Sequence, residues 1–146
     1  MKKLNRYLML TVMLTLFVSY NTSAKVKTTP IYLFGVATSF ADSTIYFTEV
    51  QQVDSACLYE RSKFLYGREN YSYQLRDYLR AQGFAFPLCI TGFATSRTKA
   101  DKKYMALQKK YMKKGGYNIH YIKNTEFRYS PIVPEPEPAQ TNRSQQ

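Results

Sequence analysis

The sequence predicts an α+β domain with a mixed four-stranded sheet in the order β-β-α-β-α-β and both helices packed on one face of the sheet. Three observations support this fold class: four runs of β-branched and aromatic residues, two segments with helical apolar spacing, and glycine after each of those segments. Strand-helix-strand connections favour parallel neighbours, whereas two runs joined by a short turn favour an antiparallel hairpin. The sheet is therefore expected to be mixed.

The strands are expected at 31–37, 44–50, 88–94 and 117–123. The polar, turn-rich segment between the first two runs predicts a hairpin. The third run follows Pro87, and the fourth shows the alternation of a strand with one buried face. Residues 51–68 are ambiguous, and a short helix near 55–64 is one interpretation.

The helices are expected at 70–82 and 99–114. In the first, apolar side chains recur on one face, Asn70 can cap the start and Gly83 can end the helix. In the second, Thr98 with Asp101 forms an N-terminal capping pattern, and the glycine pair at 115–116 stops the helix.

Residues 1–24 have the composition of a secretory signal peptide. Lys2, Lys3 and Arg6 precede an apolar run over 7–18, and small residues lead to a cleavage site after Ala24. The run is too short to cross a bilayer comfortably, so we expect a mature chain without a transmembrane segment, in the periplasm or outside the cell. That chain is expected to comprise one domain over 25–130. A Pro- and Gln-rich tail over 131–146 is expected to be disordered.

The positive charge of the chain is concentrated in one segment. The formal net charge is +11 at pH 7, and residues 97–128 hold ten basic residues against two acidic ones. Residues 25–96 are nearly balanced, with seven basic and six acidic residues. A local basic field of this kind can recruit an anionic partner.

Basic residues cover one half of the second predicted helix, opposite its apolar face. The candidate anion-binding residues are Arg97, Lys99, Lys102, Lys103, Lys109, Lys110, Lys113 and Lys114. Lysine acts as a point charge, so binding by these residues would depend on salt and would be weakly selective. A helix face that is merely solvated is the other interpretation of the same pattern.

The expected location selects among the anionic partners. Envelope glycans, lipid headgroups and acidic proteins are available outside the cytoplasm, whereas export argues against nucleic acid. These considerations favour an exported, non-enzymatic binding module. The alternative is a structural or protein-interaction partner that uses a tyrosine-rich sheet face, because tyrosine can bury its ring while its hydroxyl stays hydrated.

The two cysteines and the single histidine are the remaining candidates for chemistry. Cys57 and Cys89 can form a disulfide in an oxidising compartment, or they can be buried free thiols. A cysteine hydrolase would need one of them beside His120, and no nucleophile motif surrounds either cysteine. No catalytic residue, metal site or cofactor site is indicated by the spacing of the polar residues.

Several stretches carry a family resemblance. The Gly-x-Ala-Thr-Ser sequence at 35–39, its continuation at 42–47 and the helix opening at 71–75 resemble small exported proteins of Bacteroidetes without an assigned activity. Residues 92–97 before a helix are similar to the SPOR domain, and this resemblance implies peptidoglycan binding. The strand at 44–50 departs from the SPOR order. Gly-x-Ala-Thr-Ser recurs at 92–96, for which duplication and chance are both explanations.

Overall fold

The computed structural model describes residues 25–39 and 41–135. The predicted signal peptide and residues 136–146 of the predicted tail lie outside the described residues. The strands are β1 (Val26–Thr38), β2 (Thr44–Thr48), β3 (Gln51–Tyr59), β4 (Leu88–Ala94) and β5 (Asn118–Ile122), and the helices are α1 (Arg68–Ala81) and α2 (Arg97–Lys114). The predicted α+β class with a mixed sheet is confirmed.

The sheet is built around β1, which pairs antiparallel along both edges. β4 pairs with residues 32–38 of β1. On the opposite edge, β3 and then β2 pair with successive stretches of β1, while β5 lies parallel to β2. Within the described residues, the sheet has five strands rather than the predicted four, because the segment that the sequence left ambiguous forms β3 in place of the possible helix at 55–64. The pairing of β3 with β1 includes an irregularity between Thr29 and Ile31, which breaks the simple alternation of buried side chains.

The two helices pack on opposite faces of the sheet, which corrects the expectation of a single helical layer. Leu33 of β1 lies in a hydrophobic cluster with Leu75 of α1, whereas its neighbour Phe34 lies in a second cluster with Ala100 of α2. Successive side chains of a strand point to opposite faces, and residues 31–37 of β1 are almost all buried. A strand that is apolar on both faces needs a layer on each side.

The segment after β5 returns over the face that carries α1. Phe127, Tyr129 and Ile132 pack in the cluster on the α1 side of the sheet. The buried amide of Gln51 holds this segment, because its Nε2 donates to the carbonyl of Phe127 at 2.8 Å and its Oε1 accepts from the amide of Tyr129 at 3.0 Å. The amide of Ile132 donates to the hydroxyl of Tyr71 at 2.9 Å. The packed part of the chain therefore extends to Ile132.

Candidate anion-binding groove

A surface groove runs along the outer edge of β4, between this strand and α2. It consists of three adjoining cavities of about 550, 430 and 400 Å³, and Lys103 lines all three of them. We call this depression the basic groove. Its basic lining residues are Lys63, Arg68, Lys99, Lys102, Lys103 and Lys110.

The six cations of the basic groove come from three separate parts of the chain. Lys63 lies in the loop after β3, Arg68 is the first residue of α1, and the other four belong to α2. Among the described residues that line these cavities, none is acidic. Cations gathered in a concave surface without counter-charges raise the local positive potential, which favours entry of an anion.

Two of the cations are held by the edge of the sheet. Arg68 donates from Nε and Nη2 to the carbonyl of Thr91 at 2.9 and 2.7 Å, and the Nζ of Lys103 donates to the carbonyl of Phe93 at 2.9 Å. Guanidinium carries five N–H donors and ammonium three, so both groups keep further donors for a ligand. Side chains that are already fixed lose less conformational entropy when a ligand binds.

The floor of the basic groove is apolar. Phe34 and Ile90 contribute from the sheet, and Leu107 contributes from α2. Gly92 faces Phe34 across the β1–β4 pair, and a Cβ at this glycine would overlap the phenylalanine ring. The absence of a side chain at Gly92 therefore allows the ring to lie against the strand. The basic groove combines a cationic rim with a hydrocarbon floor.

The apolar face of α2 anchors the helix beside this groove. Tyr104 meets Phe34 and Phe47 edge to face, with ring centroids 5.3 and 5.7 Å apart. Burial raises the pKa of the Tyr104 hydroxyl to about 12. By packing its apolar face on the sheet, α2 holds its lysines of the basic groove in position.

The structure divides the eight predicted basic residues of this helix into three groups. Lys99, Lys102, Lys103 and Lys110 line the basic groove. Lys109, Lys113 and Lys114 are exposed on α2 and line none of its three cavities. Arg97 forms an exposed ion pair with Asp101, with Nε and Oδ1 3.1 Å apart.

Lys63 and Arg68 were missed by the sequence analysis. They precede α2 in the sequence by about thirty residues and belong to a segment whose overall charge is nearly balanced. Only the pairing of β4 with β1 brings the start of α1 and the loop after β3 next to α2. No local pattern around either residue could have identified it.

The two cysteines are free thiols and do not form the disulfide that the sequence allowed. Cys57 on β3 lies opposite Thr28 of β1, whereas Cys89 on β4 lies opposite Ala37. These β1 positions are nine residues apart, which corresponds to about 30 Å along a strand, while bridged Cα atoms lie within about 7 Å. Burial raises the pKa of the Cys89 thiol to about 11, so this thiol is protonated at neutral pH.

Neither cysteine can form a catalytic pair with His120. Cys89, Ala37, Tyr46 and His120 lie in one row across β4, β1, β2 and β5. Three strand spacings separate the ends of this row, which amounts to about 14 Å, and Cys57 lies near the other end of β1. His120 instead stacks on Tyr46, with ring centroids 5.3 Å apart. The structure therefore does not bring either cysteine beside His120, as a cysteine hydrolase of this kind would require.

The tyrosine-rich sheet face of the alternative hypothesis is covered by the helices. On the strands, Tyr32 and Tyr46 are partly buried and pack against the two hydrophobic clusters, whereas Tyr121 at the β5 edge is 52% exposed. Tyr71 of α1 and Tyr104 of α2 pack on the same clusters from the two helices. An open tyrosine face would require one side of the sheet to be free of helices.

Comparison of the chain with protein-family models, with curated proteins and with solved structures finds no match. The resemblances to exported Bacteroidetes proteins and to the SPOR domain therefore stay predictions. Neither of the two described helices is long and apolar enough to cross a membrane. In residues 25–39 and 41–135, no three side chains of His, Cys, Asp or Glu are placed to hold a metal ion.

Proposed function

We propose that this protein is an exported, non-enzymatic binding module that holds an anionic component of the cell envelope in the basic groove. The observation that carries the proposal is the convergence of six cations from three segments over an apolar floor, with no acidic residue among those that line it. A solvated helix face would not require Lys63 and Arg68 to meet the lysines of α2. The basic groove therefore favours anion binding over a merely solvated helix face as the explanation of the lysine pattern.

The partner is expected to be multivalent. An exposed ion pair contributes at most about 1 kcal/mol, so a small anion that meets two or three cations would bind only weakly, with a Kd of about 10 mM. An acidic glycan, a lipid surface or a polyphosphate can meet several cations together. Its affinity should fall as salt rises, because exposed charges are screened within about 10 Å at 0.1 M salt.

Two matched double variants test the basic groove. Lys99→Glu with Lys102→Glu reverses two groove charges, and Lys109→Glu with Lys113→Glu reverses two charges of α2 outside the groove. Both pairs change the net charge by the same amount. We expect the groove pair to weaken binding of soluble long-chain polyphosphate at least about tenfold, which corresponds to about 1.4 kcal/mol, and the control pair to weaken it about threefold or less.

Binding can be measured by titration calorimetry, with circular dichroism as a check that both variants keep the fold. Glutamate retains helix propensity, so neither pair should unfold α2. Equal losses of affinity in the two variants would show that only the net charge attracts polyphosphate. The basic groove would then have no role of its own.

The export part of the proposal rests on the signal-peptide composition of residues 1–24. The expected location is the periplasm or the extracellular space. Mass spectrometry of the protein isolated from its source cells should find an N-terminus at Lys25. Retention of residues 1–24 in the soluble fraction would contradict export.

A further inference from the structure

Three exposed apolar side chains adjoin the basic groove. Phe86, Leu88 and Ile90 are 77%, 52% and 49% exposed, and Ile90 is also part of the groove floor. They follow one another at every second position, from the loop after α1 into β4. Isolated exposed apolar residues are common, but three of them at alternate positions beside a cationic groove indicate an interaction surface.

The backbone holds the most exposed of these residues in an unfavourable conformation. Phe86 has a φ of 51°, in the left-handed region that residues with a large side chain rarely adopt. Pro87 follows it and restricts the conformation of the loop further. A strained residue that presents an exposed ring to solvent is consistent with selection for binding rather than for packing.

The outer edge of β4 is closed to a partner strand. The amide of Gly35 donates to Thr48 Oγ1 at 2.8 Å, so it points away from β4. Gly35 and Thr91 therefore form one of the antiparallel pairs that exchange no backbone hydrogen bonds. The carbonyls of Thr91 and Phe93 therefore point outward from the sheet, where they accept hydrogen bonds from Arg68 and Lys103. A peptide strand or a second copy of β4 would have to displace both cations.

A lipid surface matches both parts of the face that the basic groove forms together with Phe86, Leu88 and Ile90. Proteins that bind at the membrane surface combine apolar side chains, which enter the boundary between headgroups and acyl chains, with cations that meet anionic headgroups. The cations here lie along the same strand edge as the apolar group, and residues 97–128 hold ten basic residues against two acidic ones. The two halves of the face thus have the chemistry of an anionic bilayer surface.

We propose that this face seats the protein peripherally on an anionic lipid bilayer, with Phe86, Leu88 and Ile90 entering the interface and the basic groove against the headgroup phosphates. This inference rests on the proposed function and names its partner. Binding is tested with the chain from Lys25 to Gln146, because both hydrophobic clusters and the side chains packed on them lie between Ile31 and Ile132.

A tryptophan reporter tests insertion directly. The chain contains no tryptophan, so Phe86→Trp introduces a single fluorophore. Tyr121→Trp is the matched control, because Tyr121 is 52% exposed on β5, which lies at the edge of the sheet away from β4. With vesicles of equal parts phosphatidylcholine and phosphatidylglycerol, we expect the emission of the Phe86→Trp variant to shift to the blue and to be quenched by brominated acyl chains. The control emission should stay unchanged. Unshifted emission of the Phe86→Trp variant on vesicles that bind it would overturn the proposal.

A second set of variants separates this proposal from the one on which it rests. Phe86→Ser with Leu88→Ser should reduce vesicle affinity at least about tenfold and leave polyphosphate binding unchanged, because neither residue lines the basic groove. Lys99→Glu with Lys102→Glu should reduce both. If the lysine pair reduces polyphosphate binding and the serine pair binds vesicles like the wild type, only the bilayer proposal fails.

Two further outcomes would also overturn the bilayer proposal. Equal wild-type affinity for vesicles of phosphatidylcholine alone would show that anionic headgroups have no role. Concentration-dependent dimerisation that the serine pair abolishes, together with unaltered vesicle binding, would assign the apolar side chains to a second copy of the chain.

Discussion

Gly35 illustrates how closely a single residue can be constrained by the core. A Cβ at this position would overlap the hydroxyl of Tyr129 and would lie 2.6 Å from Cδ2 of Leu75. The Tyr129 hydroxyl is buried without a hydrogen-bond partner, and burial raises its pKa. The position of the Tyr129 side chain therefore requires glycine at position 35. The hydroxyl itself adds little to the stability of the fold, because it makes no hydrogen bond.

A double-mutant cycle tests this dependence. Gly35→Ala should destabilise the fold by about 1 to 3 kcal/mol through overpacking, and Tyr129→Phe should change the free energy of unfolding by about 1 kcal/mol or less. The combined variant should be more stable than the sum of the two effects, because phenylalanine vacates part of the space that the new methyl group needs. Urea denaturation measures all three variants, and strict additivity would contradict the proposed contact.

Among the structural elements, the segment after β5 shows how irregular backbone can be held without strand pairing. Gln51 and Gln74 each use one amide side chain to bind both a carbonyl and an amide of this segment. Gln51 is buried, with 4% of its surface exposed, whereas Gln74 lies at the surface of α1. The same hydrogen-bond pattern therefore occurs once away from water and once in contact with it.

This difference predicts unequal effects of the same substitution. Gln51→Leu leaves two buried backbone groups without partners and should lower the free energy of unfolding by about 2 to 4 kcal/mol. Gln74→Leu should cost about 1 kcal/mol or less, because water can replace the lost side-chain bonds. Thermal and urea unfolding of the two variants provide the comparison. Similar losses would indicate that burial does not determine the strength of these bonds.

Across the whole molecule, the two core faces share a sensitivity to alkaline pH. Burial raises the pKa of Cys89 from 9.0 to about 11 and that of Tyr104 from 10.0 to about 12, and it also raises the pKa of Tyr129. Each group is neutral when protonated, so the folded state retains protons that the unfolded chain releases. The resulting stabilisation is complete below about pH 9 and is lost as pH rises towards about 12.

The free energy of unfolding should therefore fall steadily over this alkaline range. Cys89→Ser with Tyr104→Phe removes two of the three groups, so its stability should decline less steeply with pH than that of the wild type. Urea unfolding at increasing pH measures both chains. Parallel declines would assign the effect to other groups.

Much of the local structure was accessible from the sequence. The β-branched runs predicted the positions of β1, β2, β4 and β5, and helical spacing predicted both helices to within two residues at their starts. The start of α2 at Arg97 follows from Ser96, whose hydroxyl accepts from the amide of Lys99 at 3.4 Å, rather than from the predicted cap at Thr98. These features depend on residues a few positions apart, so their physical causes are contained in short segments.

The sequence by itself thus determined the α+β class, most of the elements and the lysine face of α2. The tertiary structure decided that the helices cover opposite faces, that the cysteines lie far apart, and that Lys63 and Arg68 join the lysines of α2. Local patterns specify which side of an element is apolar or charged, but not which distant segment packs against it. That choice depends on strand register and on the burial of both faces of β1, which link residues far apart in the chain.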